Sequence, residues 1–385
     1  MWAYILMITI SVIFAILENN EDNKVKKNVY RICIIVPFFL ISGLRYKVGT
    51  DYMFRYVPNY LTILHGGNVE SLEILFRILI KLAILLNSDY ATLFILSSAI
   101  ITGLFFTSIF KNSKNIIIST IIFFAGSFFF ESMNLVRQFI AMSILFLSYK
   151  FLLKKDKKIY WLISVFIAAL FHTMSLIFLI TILLDKKVIK FKFLIVLILL
   201  TLIFSNLLMY LIANISSMAN NVNITKYAHY VERSGDLPLS GIIVETIVYL
   251  YIYIMYINLK RNKIDIEKEA IFLVNMQSMT LIFTILNINL DLFFRIALLF
   301  SMFQILSIPY FYEKNKECEW KIFDFKRKYK INQKMMKIIK KWNLIFCICL
   351  IVLLNSRMVF SNIIKGADEI LPYQTIFSRE EKKIN

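Results

Sequence analysis

Several groups of polar residues stand out in an otherwise apolar chain, and their types suit the handling of an anionic, hydroxyl-bearing ligand. The first is the run Arg45-Tyr-Lys-Val-Gly-Thr-Asp-Tyr52, with Tyr56 four residues on, between the apolar segments Val29 to Leu44 and Ala91 to Phe110. Charge, hydroxyl, carboxylate and phenol are costly where a helix meets the bilayer surface, so their concentration there marks a working site. Gly49 beside Thr50 permits a tight turn with amide N–H groups free to cradle an anion. A plainer reading also stands, in which Arg45 snorkels from a helix end and Asp51 caps the next element.

The second group, Glu131-Ser-Met-Asn134-Leu-Val-Arg137-Gln138, opens an apolar helix. Asn134, Arg137, Gln138 and Ala141 follow i, i+3, i+4, i+7 spacing and share one helical face. An arginine fork and two amides at a helix N-terminus match phosphate oxygens, and interhelical bonding by Asn and Gln would produce the same pattern. Asp291 and Arg295 are four residues apart, the spacing of an intrahelical ion pair or of a cation at the outer end of a span. His172 lies inside an apolar run, as a base or as a satisfied core residue, and Glu245, just inside a later run, is equally open. The four cysteines, Cys33, Cys318, Cys347 and Cys349, have no metal-binding or disulfide spacing, and no metal ligand set or cofactor is expected. No Gly-x-Ser-x-Gly, Walker, His-x-x-Glu-His or Cys-x-x-Cys pattern occurs, which leaves soluble-type hydrolases, NTPases and metalloproteases unsupported.

The elements that must position these residues are membrane helices. Hydrophobic residues make up 59% of 385, and the mean hydropathy is +0.70. Apolar runs predict eleven spans: Trp2 to Leu17, Val29 to Leu44, Ala91 to Phe110, Ile116 to Phe130, Phe139 to Leu153, Ile159 to Leu184, Phe191 to Ala213, Ile242 to Leu259, Ala270 to Ile288, Leu292 to Tyr312 and Trp342 to Phe360. The fold class is therefore all-α, a single polytopic transmembrane bundle over 1–385. The first run lacks a basic leader and a cleavage site, so it is expected to be a retained span. With 35 Phe and 20 Tyr, the aromatic content is expected on lipid-facing surfaces and interfacial belts. Leu72 to Leu86 carries Glu73, Arg77 and Lys81 four residues apart, a polar stripe that suits an interfacial or re-entrant helix.

The net charge of +19 lies mostly in short loops, such as Lys154 to Lys158, Lys186 to Lys192 and Lys260 to Lys263. That distribution follows the positive-inside rule and argues against nucleic-acid binding. It places loops 45–71, 131–138 and 214–240 outside and the basic segment 313–341 in the cytoplasm, anchored to anionic lipid heads. Both loops flanking Ile159 to Leu184 are basic, so this run is expected to break near Phe171-His172-Thr173 into two half-helices.

Taken in order, these islands resemble the EpsG-like branch of the Wzy-type polysaccharide polymerases, which build capsule, exopolysaccharide and O-antigen. The matching pieces are Arg45-x-x-x-Gly49-Thr50-Asp51-Tyr52 with Tyr56, Glu73-x-x-Phe76, Asn134-x-x-Arg137-Gln138-x-x-Ala141, Phe171-His172-x-x-Ser175, Arg295 and Pro372-Tyr373. Ile74 departs from the proline that relatives often carry. The resemblance implies a GT-C-like glycosyltransferase of the bacterial cytoplasmic membrane with an outward-facing site. Its partners would be undecaprenyl-pyrophosphate-linked oligosaccharide and membrane lipid, with a chain-length regulator and a flippase of the same pathway. Arg137 and Arg295, with Arg45 as a third candidate, would meet the leaving pyrophosphate. Asp51 and His172, and more weakly Glu73, are candidates for the base. Thr50, Tyr52, Tyr56, Asn134 and Gln138 complete the expected binding set. A lipid-linked oligosaccharide flippase, an O-antigen ligase and a membrane acyltransferase centred on His172 are the competing classes.

Overall fold

The computed structural model describes residues 1–218, 239–288, 292–316, 318, 333–366 and 369–379. The described residues are almost entirely helical, with one isolated antiparallel bridge between Arg45 and Thr375. Two compact units emerge, Met1–Leu179 with Ile351–Asn385, and Ile180–Leu350. The expected loop residues Lys226 to Asp236 and Asp291 lie outside the described residues, as does most of the basic segment 313–341.

The first unit contains α1 (Trp2–Asn19), α2 (Lys24–Gly43), α3 (Val57–Leu64), α4 (Ile74–Leu86), α5 (Ala91–Asn112), α6 (Ile116–Ala125), α7 (Phe128–Asn134), α8 (Val136–Leu153) and α9 (Lys158–Ala169). Asn23 starts α2 by accepting from the amides of Val25 and Lys26, and Asn115 starts α6 by accepting from Ile118. Helix α1 packs on α2 and α6, α2 on α5, and α5 on α8, which lies along α9. Their shared interior is filled by phenylalanine: Phe38 meets Phe106 at 5.1 Å and Phe129 at 5.2 Å, and Phe105 meets Phe123 at 5.3 Å and Phe146 at 5.1 Å between ring centroids. Much of the aromatic content is thus core between helices, where edge-to-face packing adds to dispersion, and not only a lipid-facing surface.

Seven described helices are long and apolar enough to cross a membrane, and eight if the bent pair α6 and α7 counts as one span, where the apolar runs suggested eleven. The polytopic all-α class is thus established, and the chain is an integral membrane protein. Two runs take other forms. Lys24, Lys26, Lys27 and Arg31 occupy the first two turns of α2. The run Ile159 to Leu184 breaks where expected, into α9 and an eleven-residue 3-10 helix, Thr173–Leu183, with Phe171 and His172 between them. Helix α4, at thirteen residues, is only about 20 Å long and falls short of a roughly 30 Å hydrocarbon layer.

In the second unit, α10 (Phe191–Met218) runs past the expected end at Ala213, and Leu239–Arg261, Lys268–Leu286, Leu292–Ser301 and Gln304–Asn315 follow. Buried amides join these helices. Asn258 Nδ2 donates to Asn315 Oδ1 at 2.9 Å, and Asn275 Nδ2 donates to the carbonyls of Leu184 and Lys187. Glu245, open in the sequence, is buried and accepts from Gln277 at 3.0 Å and Gln304 at 2.6 Å, an interhelical tie.

The tail of the first unit returns to the loop after α2. Tyr46 N donates to the carbonyl of Gln374 and Ile376 N to that of Leu44, both at 2.9 Å, so loop and tail share one face of the unit. Gly49 lets the same loop approach α7: its φ is +102°, and a Cβ there would sit 2.7 Å from Asn134 Oδ1. Gly49→Ala is expected to destabilise the purified protein by about 1–3 kcal/mol in detergent thermal unfolding. Gly103→Ala, in open space within α5, should leave the transition unchanged or raise it.

Candidate functional site

Helix ends make the site. At Gly126-Ser127 the chain bends by 49° between α6 and α7, with Ser127 at φ +65°. Two turns later, at Leu135, α7 ends and α8 begins. The last carbonyls of a helix lack intrahelical donors and need other partners when buried. Here side chains from the first loop supply two of them. Arg45 Nη2 donates to the carbonyl of Met133 at 2.8 Å, and the Tyr56 hydroxyl donates to that of Asn134 at 2.9 Å. The Thr50 hydroxyl lies 3.2 Å from Asn134 Oδ1.

Arg45 is 3% exposed. Its Nη1 donates to the carbonyl of Ser42, and its guanidinium lies 4.9 Å from the Phe94 ring and 5.8 Å from that of Tyr52. Tyr52 in turn stacks on Phe94 at 4.0 Å. Burial pulls the Arg45 guanidinium down to about 10, with the surrounding phenols opposing, so it stays charged at neutral pH. These contacts make Arg45, Tyr52 and Tyr56 the clamp on the α7–α8 break.

That break presents Arg137, the second residue of α8, to a carboxylate the sequence reading weighted least. Arg137 Nη1 meets Glu73 Oε2 at 2.6 Å, and His172 Nδ1 lies 3.3 Å from Glu73 Oε1. Three remote segments meet here: the N-cap of α4, the start of α8 and the break after α9. Backbone bonds lock the arrangement, with Leu75 N donating to the carbonyl of Leu170 at 3.0 Å and Thr173 N approaching Glu73 Oε1 at 3.4 Å. Arg137 also sits 6.0 Å from the Phe76 ring. His172 is buried, and neither ring nitrogen has an aligned hydrogen bond; the buried Ser175 hydroxyl nearby in sequence has none either.

Burial by itself would raise the Glu73 carboxyl, but the His172 imidazole and the Arg137 charge together pull it down to about 2. Glu73 is therefore ionised throughout the physiological range.

The other expected residues divide. Asp51 pairs with Arg55 at 3.6 Å on a partly exposed turn and with no member of the Glu73 cluster. Its charge, like those of Arg137 and Arg55, still reaches the buried Tyr56 phenol, which burial pushes up. Gln138 is buried in α8 with Nε2 3.8 Å from Met142 Sδ. Arg295 belongs to the second unit, on the helix Leu292–Ser301. Among the described residues, no group of three or more His, Cys, Asp and Glu could hold a metal ion. The sequence signal that would have promoted Glu73 was its place immediately before a helix, where an acid is favoured by the helix dipole.

Fold and site together define a polytopic membrane protein with a charged cluster assembled at helix breaks. The chain belongs to the EpsG family, whose family model matches residues 28–326. That family is associated with polysaccharide polymerase activity in the membrane. No curated protein and no solved structure matches the chain.

The Glu73 ion pair has a definite pH signature. A carboxyl depressed from 4.5 to about 2 contributes stability that is present above its ordinary value and lost as pH falls through about 2. In detergent, Glu73→Gln is expected to lower stability at pH 7 by about 2 kcal/mol or more, because Arg137 is left buried without its partner. The gap between wild type and variant should narrow as the pH drops from 4.5 towards 2, read by thermal unfolding at each pH.

Proposed function

We propose that the protein is a membrane glycosyltransferase that polymerises undecaprenyl-pyrophosphate-linked oligosaccharide units on the outer face of the bacterial cytoplasmic membrane. The observation that carries this reading is the convergence of Arg137, Glu73 and His172 at three helix breaks. The acceptor hydroxyl attacks the anomeric carbon of the donor, a glycosidic C–O bond forms, and the bond from that carbon to the pyrophosphate breaks. The electron pair leaves with the pyrophosphate, so negative charge grows on a phosphate oxygen and needs fixed donors.

Arg137 supplies them. One N–H is engaged by Glu73, and the guanidinium presents its remaining donors at the N-terminus of α8, an eighteen-residue helix whose dipole favours an anion. The proton of the acceptor goes to His172. For this step Nδ1–H turns to Glu73 Oε1, 3.3 Å away, which leaves the lone pair on Nε2, and the adjacent carboxylate stabilises the imidazolium that forms. Glu73, at about 2, is too weak a base for this step and serves to orient the imidazole and the guanidinium. Asp51, paired with Arg55, lies outside the proton path. Arg45, Thr50, Tyr52, Tyr56 and Asn134 keep the start of α8 in place.

In cells making the surface glycan, Arg137→Lys should reduce polymer by about tenfold or more, because the planar fork is lost although the charge is kept. His172→Ala should do the same, whereas Asp51→Asn and Lys155→Ala should retain most of it, all at matched membrane levels. Accumulation of single repeats accompanies loss under the polymerase reading; normal chains left untransferred would indicate a ligase. Cysteines placed at Asp51 and Glu369 should label from outside the cell and one at Lys155 should not.

A further inference from the structure

A groove of about 440 Å³ opens one helical turn beyond Glu73, between the turn at Gly66-Gly67 and helix α4. Its walls combine charge with apolar surface: Arg77, Lys81 and Asn68 on one side of its chemistry, Ile74 and Ile78 on the other. No lining residue is acidic. Arg77 Nη1 donates to Asn68 Oδ1 at 3.3 Å, which steers the guanidinium and leaves most of its donors for a ligand. Lys81 is exposed and has no side-chain partner among the described residues. The turn that forms one wall needs glycine, since a Cβ on Gly67 would lie 2.8 Å from Thr62 Cγ2 and 3.0 Å from the Thr62 carbonyl. Such a lining selects an anion.

The apolar half selects a chain. Ile74 and Ile78 are 54% and 53% exposed, and Leu82 and Leu85 continue the same helical face as an exposed ridge. Helix α4 is too short to cross a membrane, and an exposed apolar ridge beside cations on a short helix has the make-up of an interfacial element. A ligand that satisfies both halves has a phosphate head and a long hydrocarbon tail.

We propose that this groove docks a polyprenyl pyrophosphate: Arg77 and Lys81 bind the phosphate distal to the sugar, and the prenyl chain follows Ile74, Ile78, Leu82 and Leu85. Arg77 is one turn, about 6 Å of helix rise, from Glu73, a step comparable to the length of a pyrophosphate group. The sugar-bearing phosphate then faces Arg137 while its neighbour faces Arg77. The identity of the ligand rests on the polymerase reading; the site itself rests on the groove.

The test uses the full-length protein in phosphatidylcholine nanodiscs with farnesyl pyrophosphate, farnesol and inorganic pyrophosphate as probes. Arg77→Gln/Lys81→Gln should weaken farnesyl pyrophosphate by about tenfold or more and leave farnesol unchanged. Ile78→Asp should weaken both prenyl probes. Unchanged affinity for farnesyl pyrophosphate in the double variant overturns the proposal, as does inorganic pyrophosphate binding as tightly as the prenyl form. If the double variant keeps farnesyl pyrophosphate but loses enrichment of phosphatidylglycerol in mixed discs, the groove is a phospholipid site and the proposal falls. Lost farnesyl pyrophosphate binding in the double variant, with normal polymer in Arg137→Lys cells, retains the groove and rejects Arg137 as the leaving-group donor. The reverse pattern retains glycosyl transfer and rejects the groove.

Discussion

A carboxylate largely withdrawn from water can remain charged only if its neighbours replace the water it has lost, and the pairing of Glu73 with Arg137 is the contact that does most to meet this condition. Removing Arg137 would leave the largely buried Glu73 with only His172 and the Thr173 amide, and removing Glu73 would leave the Arg137 guanidinium without its carboxylate. The geometry around them follows from this. Arg137 must stand at the first turn of α8, so α7 has to end before it, and the carbonyls exposed by that ending have to be capped. Arg45 and Tyr56 do the capping, from a loop that can approach only because Gly49 has no side chain.

Helix breaks carry the polar chemistry in the first unit. Continuous helices satisfy their own backbone and offer a ligand nothing but side chains. At Gly126-Ser127, Leu135 and Phe171-His172 the chain gives up that self-sufficiency, and the last two interruptions are compensated by specific bonds from elsewhere in the same unit. Around these points the phenylalanine core and the returning tail pack against the helix ends, and two segments remote in sequence reach the Glu73 carboxylate.

Helix α4 carries two charged features on one short element. Its N-terminal carboxylate turns inward to Arg137 and His172, while Arg77 and Lys81 one and two turns later line a groove beside an exposed apolar ridge. A helix too short to span, with cations beside an apolar ridge, has the make-up of an interfacial element.

The sequence by itself determined the class, because burying apolar helices in lipid leaves a compositional signature that no packing detail can disguise. It also located the break at His172, from basic loops on both sides of one run, and it singled out Arg45, Asp51, Arg137 and His172 as the residues worth following. What it could not decide was which of them meet. Spacing along a helix reports only a shared face, so Glu73 read as part of a stripe with Arg77 and Lys81, and Arg45 read as a ligand for phosphate. Only the tertiary structure brings Glu73 to Arg137 and His172, sends Asp51 to Arg55 and turns Arg45 inward to the carbonyls of Ser42 and Met133. The reason is physical: a buried charge takes its role from the partners that compensate it, and those partners come from segments whose meeting is settled by long-range packing.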